Sequence, residues 1–408
     1  KIAIQSKRHT PMVLWDNGGM KLKQQPEDFR VEELTDVTPG REGPFAFYRL
    51  EKRGWTTPDA IQAIRRRWQL DLHRLSYGGL KDRHAWTIQY LTIFHGPQRK
   101  LTHHTIALDY LGQVFEPFQS RHIRSNRFQV TLRALTEEDA RRAQLTLEEI
   151  RVDGIPNYFD DQRFGSVGSG GDFVGKAIVL GQYEKALKLA LTEAYEFDRA
   201  ARKKEKAILR AHWGNWAACK AALSRGHARS LIDYLVHHPD DCRGALARLR
   251  PELRGLYLSA YQSHLWNKML ARRLGEVCRS DQLVSIRSRQ GEAPMIRRLD
   301  ETQRTALTNL RLPLPAARVD PEDPGVVIMD AVIVEEGLER GQFKLKGFKE
   351  MFFSKGDRAV MCLPAGLQYE INPDDSYPGK YKLKFCCELP RGSYVTLLVK
   401  RIQSATSN

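Results

Sequence analysis

The six residues Gly79-Leu80-Lys81-Asp82-Arg83-His84 set one carboxylate among cations at the exit of a short strand. Nearby positive charge keeps an aspartate ionised, and an ionised carboxylate serves as a nucleophile or a general base. On its own such a cluster is more often an exposed turn. A second candidate, Gly170-x-x-x-x-Gly175-Lys176-Ala177, nearly spells a phosphate-binding loop. Ala177 stands where a magnesium-ligating hydroxyl is required and no apolar strand precedes the glycines, so the segment reads as a glycine-rich loop. No Gly-x-Gly-x-x-Gly follows a strand, which leaves dinucleotide and methyl-transfer chemistry without their usual signature. The 12 histidines and 6 cysteines complete no zinc spacing; neither a metal nor a cofactor is expected.

The elements that must position Asp82 are legible in the periodicity. Leu75 to Leu80 and Thr87 to Phe94 read as strands on either side of it. Upstream, Phe45, Phe47 and Leu50 lie in a β-rich run, after which Thr57-Pro58 supplies an N-cap and first-turn proline for a helix with Ile61, Ile64 and Trp68 on one face. Arg65, Arg66 and Arg67 on its other side read as a solvated face. Phe128, Val130 and Leu132 alternate with Arg127, Gln129, Thr131 and Arg133, the period of a half-buried strand with a basic outer face. Thr136 then caps a helix that Gly154 ends.

From Gln182 to Gly275 most segments look helical, and 279–325, rich in Arg, Pro and Asp, reads as irregular connections. Near the C-terminus Tyr381, Leu383, Phe385 and Cys387 alternate with lysines, and Tyr394 to Ile402 reads as a closing helix. Strand-rich segments thus flank a helical block. The economical arrangement is mixed α/β (α+β): one discontinuous domain, residues 1–154 and 349–408, interrupted by a largely helical insertion, 155–348.

A formal net charge of +16 over 408 residues makes a polyanion the natural partner, with RNA or DNA ahead of an anionic membrane surface. No apolar run is long enough to span a membrane, and Lys1 to Thr10 shows no secretory pattern. The sparse, irregular cysteines suit a reducing compartment, so a cytoplasmic or, in a eukaryote, nuclear location is expected.

The Asp82 cluster gains meaning from its companions. Pro26-Glu27-Asp28-Phe29-Arg30-Val31-Glu32-Glu33, Gly79 to Gln89, Asn126-Arg127-Phe128, Pro156-Asn157-Tyr158-Phe159-Asp160-Asp161-Gln162-Arg163-Phe164-Gly165, Tyr261-Gln262-Ser263 and Leu389-Pro390-Arg391-Gly392-Ser393-Tyr394 occur in that order. Together, from about Lys23 to Val399, they resemble the TruD family of pseudouridine synthases. The resemblance implies a catalytic domain of pseudouridine synthase fold carrying an inserted TRUD domain. It implies Asp82 as the catalytic residue, with Lys23, Phe29, Asn126 and Phe128 at the uridine pocket. Tyr394 stands where the family motif has Phe, keeping the ring and adding a hydroxyl.

The implied activity is isomerisation of a uridine in tRNA, uridine 13 of the D-stem region in the bacterial substrate class, by a chain expected to act as a monomer. Asp82 would attack C1′ or take a proton from C2′; both alternatives stand. Lys23 could hold it ionised while Phe29, Phe128 or Tyr394 sandwich the turning uracil. Arg121, Arg124, Arg127 and Lys81 are candidate phosphate contacts, with the basic surface expected between the two domains. The competing class is a non-catalytic RNA-binding or RNA-chaperone protein that keeps the fold. A nuclease lacks its paired His and Lys or its carboxylate metal cluster.

Overall fold

The computed structural model describes residues 19–103, 105–168, 170–195, 198, 200–348 and 351–406, so Lys1 to Thr10 lies outside the described residues. The chain divides into two units, one holding everything up to Ile155 and from Cys362 onward, the other Pro156–Met361. The second crossing falls later than the sequence suggested, because a strand at Asp357–Ala359 pairs with Arg311–Pro313 inside the second unit.

The first unit runs Lys21–Leu22 (β1), Phe29–Thr35 (β2), Phe45–Arg53 (β3), Thr57–Trp68 (α1), Leu75–Tyr77 (β4), Trp86–Phe94 (β5), Leu101–His103 (β6), Ile106–Val114 (β7), Ile123–Leu135 (β8) and Glu137–Asp153 (α2). Ile155–Pro156 (β9) begins the crossing into the second unit. There follow Val174–Val179 (α3), Tyr183–Thr192 (α4), Ala200–Ala211 (α5), Trp216–Ala222 (α6), His227–His237 (α7), Cys242–Ala247 (α8), Pro251–Val277 (α9), Leu283–Ser288 (β10), Gly291–Ile296 (β11), Glu301–Thr308 (α10), Arg311–Pro313 (β12), Val326–Glu335 (α11), Asp357–Ala359 (β13) and Met361–Cys362 (β14). Ala365–Pro373 (β15), Tyr381–Pro390 (β16) and Val395–Thr406 (α12) complete the first unit.

Ten strands of that unit form one sheet in the order β15-β16-β8-β2-β5-β3-β7-β6, with β1 against β8 and β4 against β5. Among the described residues of this sheet only β2 and β5 run parallel, Arg30 opposite Trp86. A parallel pair needs a crossover, here supplied by β3, α1 and β4, and it brings the amino-terminal ends of both strands to the same end of the sheet. Whatever precedes β2 therefore meets whatever precedes β5.

Helix α1 starts one residue earlier than the sequence suggested. Thr56 is its cap, the hydroxyl accepting from the Asp59 N–H, which leaves the Thr57 hydroxyl for tertiary bonds. Ala60, Ile61 and Ile64 of α1 pack on Ala46, Tyr48 and Leu50 of β3 and Leu91 and Ile93 of β5. On the other face of the sheet Phe47, Phe118 and Ile123 form a separate apolar cluster. Helix α2 carries its cap at Thr136 with Asp139 reciprocating, and it packs on α12 and on β8 and β16. At its end Gly154 has φ +70°, and a Cβ placed there would stand 2.8 Å from the Cys362 carbonyl oxygen. Only glycine lets the two ends of the first unit come so close.

One expected surface residue is internal. Arg133, assigned by alternation to a basic outer face, is buried and clamps three aspartates: Asp28 at 2.9 Å, Asp374 at 3.0 Å and Asp375 at 2.8 Å. The reason is local. Ala134 takes φ +62° and the β8–β16 register shifts between Tyr381 and Leu383, re-aiming the side chain. Asp28 closes the turn before β2, its other oxygen accepting the Gln25 N–H, so this ion cluster fixes the entry to Phe29. Arg133→Met should lower unfolding free energy by about 3–5 kcal/mol, because it strands buried carboxylates. Urea unfolding followed by far-UV circular dichroism measures it, and a loss below about 1 kcal/mol would contradict the clamp.

The second unit centres on α9, whose Tyr257, Tyr261, Trp266, Met269, Leu270 and Leu274 are buried, with α3 and α11 packed against it. Its 279–325 stretch is not the run of irregular connections that its composition suggested. β10 and β11 form a hairpin with Leu283 opposite Ile296, turning through Arg289 and Gln290 into Gly291 at φ +105°, and Asp300 caps α10. Interleaved arginines and Pro294 had masked the strand alternation. The glycine-rich loop expected over 170–177 ends at Phe173: Gly175, Lys176 and Ala177 lie in α3, where a Cβ on Gly175 would stand 2.8 Å from Tyr257 O and Tyr261 Cβ, so that glycine serves the packing of α3 on α9. Lys176 is taken up by Glu336 at 2.7 Å.

Candidate active site

Asp82 sits in the loop between β4 and β5, and Lys23 in the link between β1 and β2, so the parallel pair delivers both to the same end of the central strands. Lys23 Nζ donates to Asp82 Oδ2 at 2.5 Å, while the His84 N–H donates to Asp82 Oδ1 at 2.9 Å. The Lys23 side chain is 3% exposed and that of Asp82 is 28% exposed, so the carboxylate is the member open to solvent. Burial pushes the Asp82 carboxyl up, but the Lys23 ammonium, its hydrogen bond and the His84 N–H outweigh burial and hold it below the usual aspartate range. Asp82 is a carboxylate at neutral pH.

Lys23 has φ +56°, the left-handed conformation that a side chain adopts at a cost of about 1–3 kcal/mol unless its surroundings impose it. Those surroundings are visible. Its ammonium lies 4.1 Å from the centre of the Phe29 ring, and Phe29 meets Phe128 edge-on with centroids 6.4 Å apart. Pairing follows the pleat: Val31 opposite Phe128 and Glu33 opposite Asn126 put Phe29, Val31, Glu33, Phe128 and Asn126 on one face. Thr87 and Lys52 share that face, because Val31 pairs with Thr87 and Thr87 with Lys52.

The loop that carries Asp82 is pinned from below. Thr57 Oγ1 accepts the Lys81 N–H at 2.9 Å and donates to Gln89 Oε1 at 2.8 Å, and Gln89 Nε2 donates to the Gly79 carbonyl at 3.3 Å. Lys52, fully buried, donates to the carbonyls of Trp55 (2.6 Å), Asp82 (3.1 Å) and Lys81 (3.4 Å). Burial drives the Lys52 ammonium down to about 8, with Asp82 opposing the fall. Lys81 turns the other way: its ammonium contacts Glu33 Oε1 at 3.0 Å and donates to Asn126 Oδ1 at 2.7 Å. Burial raises the Glu33 carboxyl, and Lys81 partly offsets it.

Of the residues proposed from sequence, the structure brings Asp82, Lys23, Phe29 and Phe128 into one chain of contacts, with Asn126 joined through Lys81. Tyr394 is half-buried ahead of α12, just past the point where Leu389 pairs with Asn126. The candidate phosphate contacts all have carboxylate partners: Arg121 with Glu116, Arg124 with Asp36, Arg127 with Glu388 and Lys81 with Glu33. The three arginines are exposed, where such pairs are weak and exchangeable. Lys81 is mostly buried and belongs to the pocket. Lys52, Glu33, Thr57 and Gln89 were not anticipated as parts of the site. A charge on the inward phase of an apolar strand was the available signal, as in Ala46, Tyr48, Leu50, Lys52 and in Phe29, Val31, Glu33.

A lysine-held carboxylate beside aromatic rings suits attack on, or proton removal from, a sugar whose base those rings hold. The chain is similar to known proteins over nearly its whole length. A chain assigned to tRNA pseudouridine synthase D 1 in Methanococcus maripaludis is 28% identical over 94% of this chain and 99% of its own length. The tRNA pseudouridine synthase D of Leptospira interrogans is 28% identical over 93% of this chain and 95% of its own. A crystal structure assigned to tRNA pseudouridine synthase D (TruD) from Methanosarcina mazei superimposes with a TM-score of 0.69 at 29% identity, covering 95% and 94% of the two chains. The family model for tRNA pseudouridine synthase D matches residues 12–402, and the chain belongs to the TruD family.

Proposed function

We propose that this chain isomerises a uridine of tRNA, position 13, to pseudouridine with Asp82 as its catalytic carboxylate. The observation that carries the reading is the Lys23–Asp82 pair, set against Phe29 and Phe128 on a fixed loop and open to solvent on the carboxylate side. The reaction breaks the N1–C1′ bond, turns the uracil and rejoins it through C5, which requires neither oxidant nor group donor. Asp82 either attacks C1′ or removes the C2′ proton; Lys23 keeps it ionised in both cases. Phe29 and Phe128 offer ring faces and edges to a base that must rotate without leaving. A base within folded RNA must first be exposed, at a few kcal/mol, which phosphate contacts offset. Incubation with unmodified tRNA and mapping of pseudouridine at single-nucleotide resolution tests the proposal. Conversion at one position of the D-stem region supports it, and tight binding without conversion favours the chaperone alternative.

Binding of tRNA should weaken steeply with salt, since each neutralised phosphate releases condensed counterions. Arg121→Ala with Arg124→Ala should lower the slope of log K against log salt by up to about 2 without moving the modified position. Filter binding across a salt series reads the slope, and a shifted modification site would mean these arginines select the target.

Lys23→Met removes the charge that outweighs burial, so the Asp82 carboxyl should rise above the ordinary aspartate range. Because the active form is the carboxylate, the acid limb of the single-turnover pH profile moves to higher pH. An acid limb at its original place in the variant would remove Lys23 from this duty.

A further inference from the structure

Asn126 lies on the inward face of β8 opposite Glu33, and its side-chain oxygen accepts from Lys81 Nζ at 2.7 Å. A lysine ammonium has no acceptor, so the atom it touches must be the amide oxygen, and the amide orientation is chemically decided. Glu33, fully buried, holds the same ammonium at 3.0 Å and takes the Tyr90 N–H on its other oxygen. Among the described residues the Asn126 Nδ2 finds no acceptor. A nearly buried amide therefore has its acceptor committed and both its donors unspent.

We propose that Lys81, anchored by Glu33, is a positioning residue that locks Asn126 as a pure donor to a uracil carbonyl, a contact kept when the base turns. The inference rests on the reading of this pocket as a uridine site. Uracil has the symmetry that such a donor can use. A half-turn about the axis through N3 and C6 exchanges N1 with C5 and, with them, C2=O with C4=O. A fixed N–H facing one carbonyl before glycosidic cleavage thus faces the other once C5 has come round to the sugar. Asn126 has no need to move. Cytosine lacks this property, since its C4 carries an amine that a donor repels. The dipeptide Lys81-Asp82 then divides the work, Asp82 acting at the ribose and Lys81, through Asn126, at the base.

The test uses the full chain and tRNA transcripts bearing uridine, 2-thiouridine or 4-thiouridine at the converted position, since a thiocarbonyl accepts hydrogen bonds poorly. Single-turnover rates are compared for the unaltered protein, Lys81→Met and Asn126→Asp. The intrinsic effect of sulfur on the glycosidic bond is common to all three proteins and cancels in the comparison. At least one sulfur should slow the unaltered protein about 5-fold more than it slows either variant, and Asn126→Asp should slow the oxygen substrate by about 100-fold, because its free carboxylate oxygen repels the carbonyl. If Lys81→Met does not fold for want of a partner to Glu33, Asn126→Asp keeps both residues and decides alone. Equal sulfur penalties in unaltered and variant proteins would overturn this proposal and leave the synthase reading intact. Failure of the unaltered protein to convert any uridine would instead remove the synthase reading, and this inference with it.

Discussion

Asp82→Asn is expected to reduce single-turnover conversion of uridine by on the order of 10⁴-fold while tRNA affinity stays within about 2-fold, because nucleophile and base both require the ionised oxygen. The amide has the shape of the carboxylate but only one oxygen, so it can keep accepting from Lys23 or from the His84 N–H, not from both. It cannot form an ester at C1′ or take a proton from C2′. Its effect on binding is small because Asp82 is one charge in a chain of net +16, and phosphate contacts dominate RNA affinity. Melting of the variant serves as the control, since Lys23 is nearly sequestered and depends on an oxygen partner. An Asn variant that still converts uridine at an appreciable rate would show that another group does the chemistry.

How much of this site was legible beforehand depended on whether the signal was local. Strand alternation places Phe128 on an inward face, and ordered motifs single out Asp82, Lys23, Phe29 and Asn126. What alternation could not supply was partnership. Lys52 is recognisable as a lysine on the buried phase of β3, but that it clamps the carbonyls of Lys81 and Asp82 follows only from β3 pairing with β5. Thr57 read as a cap, and its tertiary bonds emerged only once Thr56 was found to cap α1 instead. Arg133 read as basic surface, and its aspartate partners Asp374 and Asp375 lie in the returning C-terminal segment beyond the insertion. The β10–β11 hairpin was missed for the opposite reason, because its composition resembles a loop while its cross-strand register makes it a sheet.

Replacing Pro156–Met361 by a short Gly/Ser linker between Ile155 and Cys362 should leave the first unit folded and strongly impair RNA binding. The geometry for closure is present on both sides of the cut. In the first unit Gly154 approaches the Cys362 carbonyl closely enough that a Cβ would clash, so a few residues span the gap. In the second unit the Asn157 N–H donates to the Val360 carbonyl at 2.8 Å, so that unit also begins and ends at one place. All ten strands of the large sheet, both of its apolar clusters, the Arg133 clamp and the Lys23–Asp82 pair lie outside the excised segment. Charge, by contrast, divides evenly. The first unit holds 31 basic and 23 acidic residues and the second 34 and 26, so excision removes half of the net positive charge. Affinity for tRNA at physiological salt should fall by on the order of 10²-fold or more, with a shallower salt slope, and whatever conversion remains should lose its preference for one position. Circular dichroism, salt-dependent binding and pseudouridine mapping on the shortened protein read these outcomes. A shortened chain that does not fold would show that the two units share one core, and one that binds and modifies tRNA as before would show that the insertion contributes nothing to recognition.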